Sequence, residues 1–354
     1  MTTTDLASRY HAYREQNPKA RIRNAARDLG VSELALLTLG NGSQLVRLNN
    51  DPGPVFHDLA SLGEVMALTR NDACVIETHG VYDNVEIGRH ASMVNSEGVD
   101  LRMFLGRWAY AYAVATPWER GRDGFRHSIQ FFDAAGHAVH KTFLTRRSTL
   151  DALPGFIDRH RAPEDAPPEL APVEPAKVEA GTLEHPEQFL DDWQAMEDPH
   201  DFFHLLHRYG IGRTTALTAA EGRFTTRLDR FSIRTALEAA AAEQFETMTF
   251  VGNPGCIQIY TGTIRTLKEY APWYNVLDPK YNLHLDEQQI ETVWAVVKPG
   301  DTGYVTSLEA YDASGHAIIQ LFGRRKPGQV ELPAWRQVIE DLAGKATYAE
   351  MIAG

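Results

Sequence analysis

The sequence contains very little cysteine. Only Cys74 and Cys256 occur among 354 residues, and neither has a second cysteine nearby. A disulfide framework and a zinc–thiolate site both need closely grouped or paired cysteines, so neither is indicated. We therefore expect both cysteines to be buried as small apolar side chains.

Long apolar runs and an excess of positive charge are also missing. No stretch approaches the ~20 apolar residues of a membrane span, and the first residues lack the basic and apolar segments of a signal peptide. Lys plus Arg number 35 against 47 Asp plus Glu, a net charge of −12 that repels nucleic acid and anionic membranes. We expect a cytoplasmic protein with no stable membrane insertion, no favoured nucleic-acid partner and, for any anionic ligand, a local group of cations.

The length of the chain predicts two domains or one duplicated unit. Residues 161–180 contain five prolines, five acidic residues and no aromatic residue, a composition typical of an extended, solvated linker. This segment divides the chain into a first repeat unit, residues 1–160, and a second, residues 181–354.

The two halves resemble each other in sequence. SIQFFDAAGHAVHKTF (residues 128–143) aligns with SLEAYDASGHAIIQLF (residues 307–322), and both contain the turn DAxGHA between strand-like runs. NDACVIETHGVY (residues 71–82) aligns in the same way with NPGCIQIYTGTI (residues 253–264), so that the two cysteines become equivalent. The chain is therefore predicted to be a tandem structural duplication of an α+β unit, with helices followed by antiparallel strands.

The hydrophobic periodicities place the main elements of each half. In the first half they predict helices at residues 5–15 and 18–37 and strands at residues 73–78, 81–87, 108–116, 128–133 and 137–144. In the second half they predict helices at residues 185–196, 200–209 and 235–244.

The segment EDPHDFFHLLHRYG carries three histidines, His200, His204 and His207. On a helix of 100° per residue they fall at about 0°, 40° and 340°, a stripe roughly 60° wide beside the apolar face. At an offset of 180 residues the first half has Ala20, Asn24 and Arg27 in their places. Because only one copy has the histidines, the stripe indicates a function of the second half rather than a requirement of the fold.

Cations differ between the halves as well. Arg213 aligns with Glu33 and Lys298 with Thr116, whereas Arg325 has a counterpart in Arg146. Arg213, Lys298 and Arg325 are therefore predicted to gather near the second sheet, although each of them is also compatible with ordinary surface charge.

Three interpretations of the histidine stripe remain open from the residues alone. HDFFH has the spacing of a metalloprotease zinc helix, but Asp201 replaces its glutamate and no further ligand is obvious. The histidines are also compatible with a polar border on a structural helix. A flat, apolar, dianionic ligand such as haem would use one imidazole on iron and cations on its propionates.

A separate hypothesis, that the protein binds DNA, comes from a segment of the first half. RIRNAARDLGVSELALLTLG (residues 21–40) has the turn pattern of a DNA-binding helix-turn-helix, which would suit a regulator. Glu33 lies where the second helix of such a motif would need a cation.

Four segments resemble the bacterial cytoplasmic haemin-utilisation and haemin-degrading factors, the HmuS/HemS/ChuS-like family. They are DPHDFFHLLHRYGIGR (residues 198–213), DLRMFLGRW (100–108), NLHL (282–285) and IIQLFGRRKPG (318–328). The resemblance spans both halves. It implies two units, each a curved antiparallel β-sheet with packed helices, and one haem b (iron protoporphyrin IX) in the second half.

The resemblance also implies roles for individual residues. His200 is then the axial iron ligand, Arg102 faces the other side of the iron, and Phe104 covers the haem, which implies a cleft between the two halves. His204 and His207 are candidates for alternative or transfer ligands. The positions implied near the propionates are Arg213, Lys298, Gln320 and Arg325.

Two activities follow from the resemblance, and the residues do not choose between them. In the first, the protein takes haem from an inner-membrane importer and passes it to a haem oxygenase. In the second, the bound haem is itself opened oxidatively to release iron. An external reductant would be needed for this, because no GxGxxG dinucleotide motif follows a strand.

Overall fold

The computed structural model describes residues 3–40, 42–89, 91–163, 166–173, 181–325 and 328–353. The helices are α1 (Thr3–Gln16), α2 (Ile22–Leu29), α3 (Glu33–Leu37), α4 (Pro52–Asp58), α5 (Leu153–His160), α6 (Pro186–Gln194), α7 (Phe202–Tyr209), α8 (Arg213–Ala219), α9 (Ser232–Glu243), α10 (Pro333–Ala343) and α11 (Lys345–Ala353). None of these helices is long and apolar enough to cross a lipid bilayer.

The strands are short and mostly antiparallel to their neighbours. They are β1 (Gln44–Leu48), β2 (Gly63–Arg70), β3 (Cys74–Gly80), β4 (Val85–Glu86), β5 (Ser92–Ser96), β6 (Val99–Met103), β7 (Tyr110–Pro117), β8 (Phe125–Phe132), β9 (Ala138–Ser148), β10 (Thr225–Leu228), β11 (Thr247–Asn253), β12 (Cys256–Gly262), β13 (Leu267–Tyr270), β14 (Trp273–Asp278), β15 (Tyr281–Asp286), β16 (Thr292–Gly300), β17 (Gly303–Tyr311) and β18 (Ala317–Gly323).

The chain forms two compact units that are not continuous in sequence. Unit 1 consists of residues 1–70, 77–175 and 253–258, and unit 2 of residues 71–76, 176–252 and 259–354. Strands β3 and β12, which are equivalent in the repeat, are thus divided between the units. The boundaries at residues 160 and 181 remain a prediction for the sequence repeats. Within the predicted linker, residues 164, 165 and 174–180 lie outside the described residues, and residues 166–173 form no helix or strand.

Each unit has the same strand order. Unit 1 contains the antiparallel series β1-β7-β8-β9-β2 and the series β4-β5-β6. Unit 2 contains β10-β16-β17-β18-β11 and β13-β14-β15. The predicted α+β class and tandem duplication are confirmed.

Two equivalent asparagines fix the short segments that each unit takes from the other half of the sequence. In unit 1 the Asn253 amide donates to the carbonyl of Arg70 at 3.0 Å and accepts from the backbone N–H of Cys256 at 3.1 Å. In unit 2 the Asn71 amide donates to the carbonyl of Gly252 and accepts from the N–H of Cys74. Both cysteines are fully buried, as predicted.

The core of unit 2 lies on both faces of the series β10-β16-β17-β18-β11. One face packs against α9 and α10, with Leu308 and Leu321 among the fully buried residues. On the other face, α6, α7 and α8 pack against Trp294, Val296 and Tyr311 of β16 and β17. This second helical layer carries the histidines.

Several predicted elements need correction. The helix predicted at residues 18–37 is two helices, because Gly30 adopts a left-handed conformation (φ 68°) and Ser32 caps the second. The helix predicted at 200–209 begins only at Phe202, after a 3₁₀ turn at Pro199–Asp201. Of the strand predicted at 81–87, only Val85–Glu86 forms, and β1, β2, β5 and β6 had no counterpart in the predicted elements.

Candidate functional site

The 3₁₀ turn before α7 holds His200 in a defined orientation. Asp198 Oδ1 accepts the backbone N–H of His200 at 2.9 Å and also lies 2.6 Å from its Nδ1. The hydrogen bond from that backbone N–H lowers the pKa of Asp198, with the His200 side chain and Arg325 acting in the same direction. An ionised carboxylate can only accept, so Nδ1 carries the hydrogen, and in the neutral imidazole Nε2 is then the nitrogen with the free lone pair. The side chain is 93% exposed, which leaves Nε2 accessible.

A carboxylate on one imidazole nitrogen is the usual arrangement of histidines that bind metal through the other nitrogen. It fixes the tautomer and raises the basicity of the ligating atom. His200 has this arrangement, with Asp198 as the carboxylate.

The surface of α7 follows the predicted pattern in part. His204 and His207 are exposed, while Phe202, Leu205 and Leu206 are buried. His200 precedes the α-helix, so the spacing of 100° per residue does not describe its position. Phe203 next to the imidazoles is 70% exposed, an unusual position for a phenyl ring without an apolar partner.

Below α7, a fully buried carboxylate gathers two of the predicted cations. Glu309 on β17 accepts two hydrogen bonds from Arg213, both at 2.7 Å, and one from Lys298 at 2.9 Å. Ser307 and Tyr311 donate to the same carboxylate at 2.8 Å and 2.5 Å. We call these five residues the Glu309 cluster.

The Glu309 cluster carries a net charge of +1, because two cations surround one anion. Burial alone would raise the pKa of Glu309, but the charges of Arg213 and Lys298 hold it well below its usual range. Burial lowers the pKa of Lys298 to about 8, with Arg213 adding to the effect and Glu309 opposing it. Both cations also lie over the ring of Phe202, each at 5.0 Å from its centroid.

Gln320 lies beside this cluster on the same sheet face. It is directly opposite Glu309 in the β17–β18 pairing and opposite Phe250 in the β11–β18 pairing. Phe250 and Phe322 are half-buried, with ring centroids 5.1 Å apart, and Met248 pairs with Phe322. The helical layer packs on β16 and β17, so Met248, Phe250 and Phe322 on the neighbouring strands remain partly exposed. We call these three residues the apolar strip.

Arg325 is the third predicted cation. Its guanidinium lies 3.1 Å from Asp301 in the β16–β17 turn, and its charge contributes to the lowered pKa of Asp198. The same hairpin supports the 3₁₀ turn, since a Cβ added to Gly300 would lie 3.3 Å from Pro199. The charge of Arg325 therefore helps to lower the pKa of Asp198, but Arg325 is not part of the Glu309 cluster.

Arg102 and Phe104 belong to unit 1. Arg102 on β6 pairs with the carboxylate of Asp100 and donates to the carbonyl of Leu101 at 3.1 Å. Burial raises the pKa of Asp100 despite this pairing. Phe104 is half-buried, and its backbone N–H donates to the carbonyl of Gly255 at 3.0 Å. The roles implied for Arg102 and Phe104 at the haem remain predictions.

Sequence reasoning missed two functional candidates, Asp198 and Glu309. Asp198 stands two residues before His200, the spacing of a side chain that caps a turn. Glu309 occupies the position of Gln130 in the repeat alignment, so a difference in charge between the copies was available as a signal.

The DNA-binding alternative fails on the burial of α3. Glu33, Leu34, Leu36 and Leu37 are all buried, whereas a helix that reads a DNA groove must expose its side chains. The zinc alternative lacks a ligand set, because no three His, Cys, Asp or Glu side chains converge as metal ligands in the described part of the chain.

Comparison with known proteins identifies the family. The profile described as the haemin-degrading HemS.ChuX domain matches twice, over residues 30–159 and 210–342. The chain belongs to this HemS/ChuX family. The two matches fall in the two sequence repeats.

Members of this family resemble the chain over almost its whole length. Hemin transport protein HmuS of Yersinia pestis is 36% identical over 344 residues, covering 96% of this chain and 98% of that protein. The crystal structure of holo-PhuS, a heme-binding protein from Pseudomonas aeruginosa, is 39% identical, covers 97% of this chain and 99% of its own, and has a TM-score of 0.90. The heme degrading enzyme ChuS of Escherichia coli O157:H7 is 32% identical, with coverages of 96% and 99% and a TM-score of 0.88.

Proposed function

We propose that this protein binds one haem b through unit 2 and serves haem uptake and iron acquisition, with Nε2 of His200 as the axial ligand. The observation that carries the proposal is the hydrogen bond between His200 Nδ1 and the ionised Asp198, on a side chain that is otherwise exposed. Family membership and the haem-binding relative PhuS support it.

The apolar part of the ligand has suitable contacts in unit 2. Phe203 exposes its ring beside the histidines, and Met248, Phe250 and Phe322 form the apolar strip on the sheet. A porphyrin is flat and apolar over most of its surface, so aromatic and thioether side chains are appropriate partners.

The propionates require positive charge and hydrogen-bond donors. The Glu309 cluster, with two cations and one anion, supplies a net charge of +1 close to Gln320, and Arg325 supplies a third cation near the histidine turn. Glu309 keeps Arg213 and Lys298 in place before a ligand arrives, which lowers the cost of ordering them on binding. In this proposal they are a preformed pair of donors rather than free surface cations.

His204 and His207 serve a different purpose. Both are exposed on the helix that follows the 3₁₀ turn, so each could replace His200 as an iron ligand during transfer. This suits a protein that receives haem from an inner-membrane importer and delivers it to a haem oxygenase.

Oxidative opening of the bound haem is the second candidate activity. The observation that favours it is the similarity to ChuS, which is described as a heme degrading enzyme. In this case an external reductant supplies the electrons, and Arg102 and Phe104 are the residues proposed to act at the haem. Turnover with reductant present, and with peroxide removed by catalase, distinguishes degradation from binding alone.

The decisive experiment is a haem titration followed by absorbance. We expect the native chain to give a Soret band that saturates near one equivalent, and His200→Ala to lose or shift it. Asp198→Asn should weaken binding by about 10–100-fold, because the imidazole loses its carboxylate. His11→Ala, an exposed histidine of α1, is the matched control and should behave as the native chain.

Equal binding by native protein and His200→Ala would refute His200 as the ligand and direct attention to His204 and His207. Absence of binding by the native chain would refute the haem function itself.

A further inference from the structure

Unit 1 has a pocket of its own on the sheet face equivalent to the apolar strip of unit 2. Its volume is about 340 Å³, and its floor includes Met66 and Phe143. In the repeat alignment these residues correspond to Met248 and Phe322. The duplication has therefore kept an apolar floor at this place in both copies.

The wall of the pocket comes from a loop that unit 2 lacks. Seven residues, 118–124, connect β7 to β8, whereas only residues 301–302 connect the equivalent strands β16 and β17. This longer loop contributes Trp118, Arg120 and Arg122 to the pocket. The two copies thus share the floor, and the loop wall is a feature of unit 1.

Four arginines line the pocket, namely Arg120, Arg122, Arg126 and Arg146. Among the described residues, the ion pairs found include none from these four guanidinium groups. Arg126 lies over two aromatic rings, 4.1 Å from the centroid of Phe143 and 5.9 Å from that of Trp118. In a chain with a net charge of −12, these four arginines form a local excess of positive charge, although the charge of Glu77 also acts on Arg126.

The only carboxylate in the lining is already occupied. Asp123 lies 2.8 Å from Nε2 of His127, and this hydrogen bond lowers the pKa of Asp123. His127 is consequently engaged at that nitrogen, and the position equivalent to His200 is Ala20. The pocket therefore offers positive charge and aromatic surface without an iron ligand prepared as His200 is.

We propose that this pocket binds a small aromatic anion, held by stacking on its apolar floor and by arginine–oxyanion pairs rather than by iron coordination. Arginine suits carboxylate and phosphate oxygens equally, because its planar fork pairs with both. The volume is at the lower end of small-molecule pockets, which fits one or two ring systems.

The test is calorimetric titration of the whole chain, without haem, with three probes. Naphthalene-2,6-dicarboxylate represents an aromatic carboxylate, AMP an aromatic phosphate, and 2-naphthalenemethanol a neutral ring. We expect one of the two anions to bind with 1:1 stoichiometry and an affinity that falls with added salt, and the neutral ring not to bind. Which anion binds identifies the acidic group.

Three variants locate the site. Arg126→Gln and Arg146→Gln should each weaken binding at least tenfold. Arg146 is exposed and forms no ion pair within the described part of the chain, so its replacement should not disturb folding. Arg107→Gln, an exposed arginine of unit 1 outside the pocket, should change the affinity less than twofold. Arg325→Gln reports on unit 2 and should also leave it unchanged.

Failure of both anions to bind would overturn the proposal, and so would binding that Arg325→Gln abolishes while Arg146→Gln retains it. Equal binding of 2-naphthalenemethanol would show that the pocket does not recognise negative charge, and this would also overturn the proposal. Because no haem is present, none of these outcomes depends on the proposed haem site.

Discussion

Replacing Glu309 with glutamine tests the centre of the buried cluster in unit 2. Glu309 is completely buried and accepts hydrogen bonds from four side chains, including two from Arg213 at 2.7 Å. Glutamine has almost the same size, but it replaces one accepting oxygen with an NH₂ group that faces donors. The two cations would then remain without their common anion.

The expected loss of unfolding free energy is large because Glu309 is buried away from water. Removing one partner of a buried ion pair typically costs about 3–5 kcal/mol, whereas removing one partner of an exposed pair costs less than about 1 kcal/mol. The native pKa of Lys298 is already lowered to about 8, and without Glu309 it should fall further, so part of the cost is relieved by deprotonation. We therefore expect about 3 kcal/mol rather than the upper end of the range.

The assay is equilibrium unfolding in urea followed by circular dichroism. Glu269→Gln is the matched control, because Glu269 pairs with Arg234 at 3.1 Å but is 58% exposed. A double variant, Lys298→Met with Glu309→Gln, should recover part of the lost stability by removing one uncompensated cation. If Glu309→Gln is no less stable than Glu269→Gln, the cluster does not stabilise the unit and the reasoning is wrong.

Three further predictions use other parts of the chain. Since the pKa of Lys298 is about 8, haem affinity should fall as the pH rises above 8 and Lys298 loses its charge; Lys298→Met should show a flatter dependence when dissociation constants are measured from pH 7 to 9.5. Burial lowers the pKa of His140 to about 3, so between about pH 6 and 3 the unfolded chain takes up a proton that the folded chain does not. Unfolding free energy should then drop by up to about 1.4 kcal/mol per pH unit as the pH falls, a slope that His140→Gln should reduce. Finally, Ala20→His in a His200→Ala background should not restore the Soret band in a haem titration, because Pro18 stands where a carboxylate like Asp198 is needed; restored binding would contradict the role given to that carboxylate.

Much of the fold follows from local sequence patterns. The repeated DAxGHA turns joined pairs of strands in both copies, because the alternation of apolar residues and the turn residues act over a few positions. The buried arc of α7 was predictable for the same reason. The resemblance predicted the family. The family profile, which matches both repeats, confirmed that prediction.

The division of β3 and β12 between the units had no such signal. Asn71 and Asn253 begin nearly equivalent segments, and each caps the cysteine segment that follows it with the same hydrogen bonds. Two equivalent segments satisfy the same local contacts in either unit. Their partners, Gly252 and Arg70, are far away in sequence, so only the long-range contacts decide which unit each segment completes.

Glu309 was hidden for a related reason. In SLEAYD a glutamate between apolar residues is typical of a strand with one solvated face, yet this residue is fully buried. Its partners come from a helix and a neighbouring strand, Arg213 and Lys298, and their distances in sequence gave no indication of an ion pair.

Both copies link a helix N-terminus to the sheet through buried charge, but with opposite polarity. In unit 1, Glu33 at the start of α3 pairs with Lys141 of β9 at 2.5 Å and with Arg23 at 3.3 Å. In unit 2 the helix supplies the cation, Arg213, and the sheet supplies the anion. In each unit the buried anion forms ion pairs with two cations, Lys141 and Arg23 in unit 1 and Arg213 and Lys298 in unit 2. A buried anion with two cations is thus common to both units, whereas a histidine held by a carboxylate two residues before it, as His200 is by Asp198, is not: unit 1 has Ala20 and Pro18 at those positions.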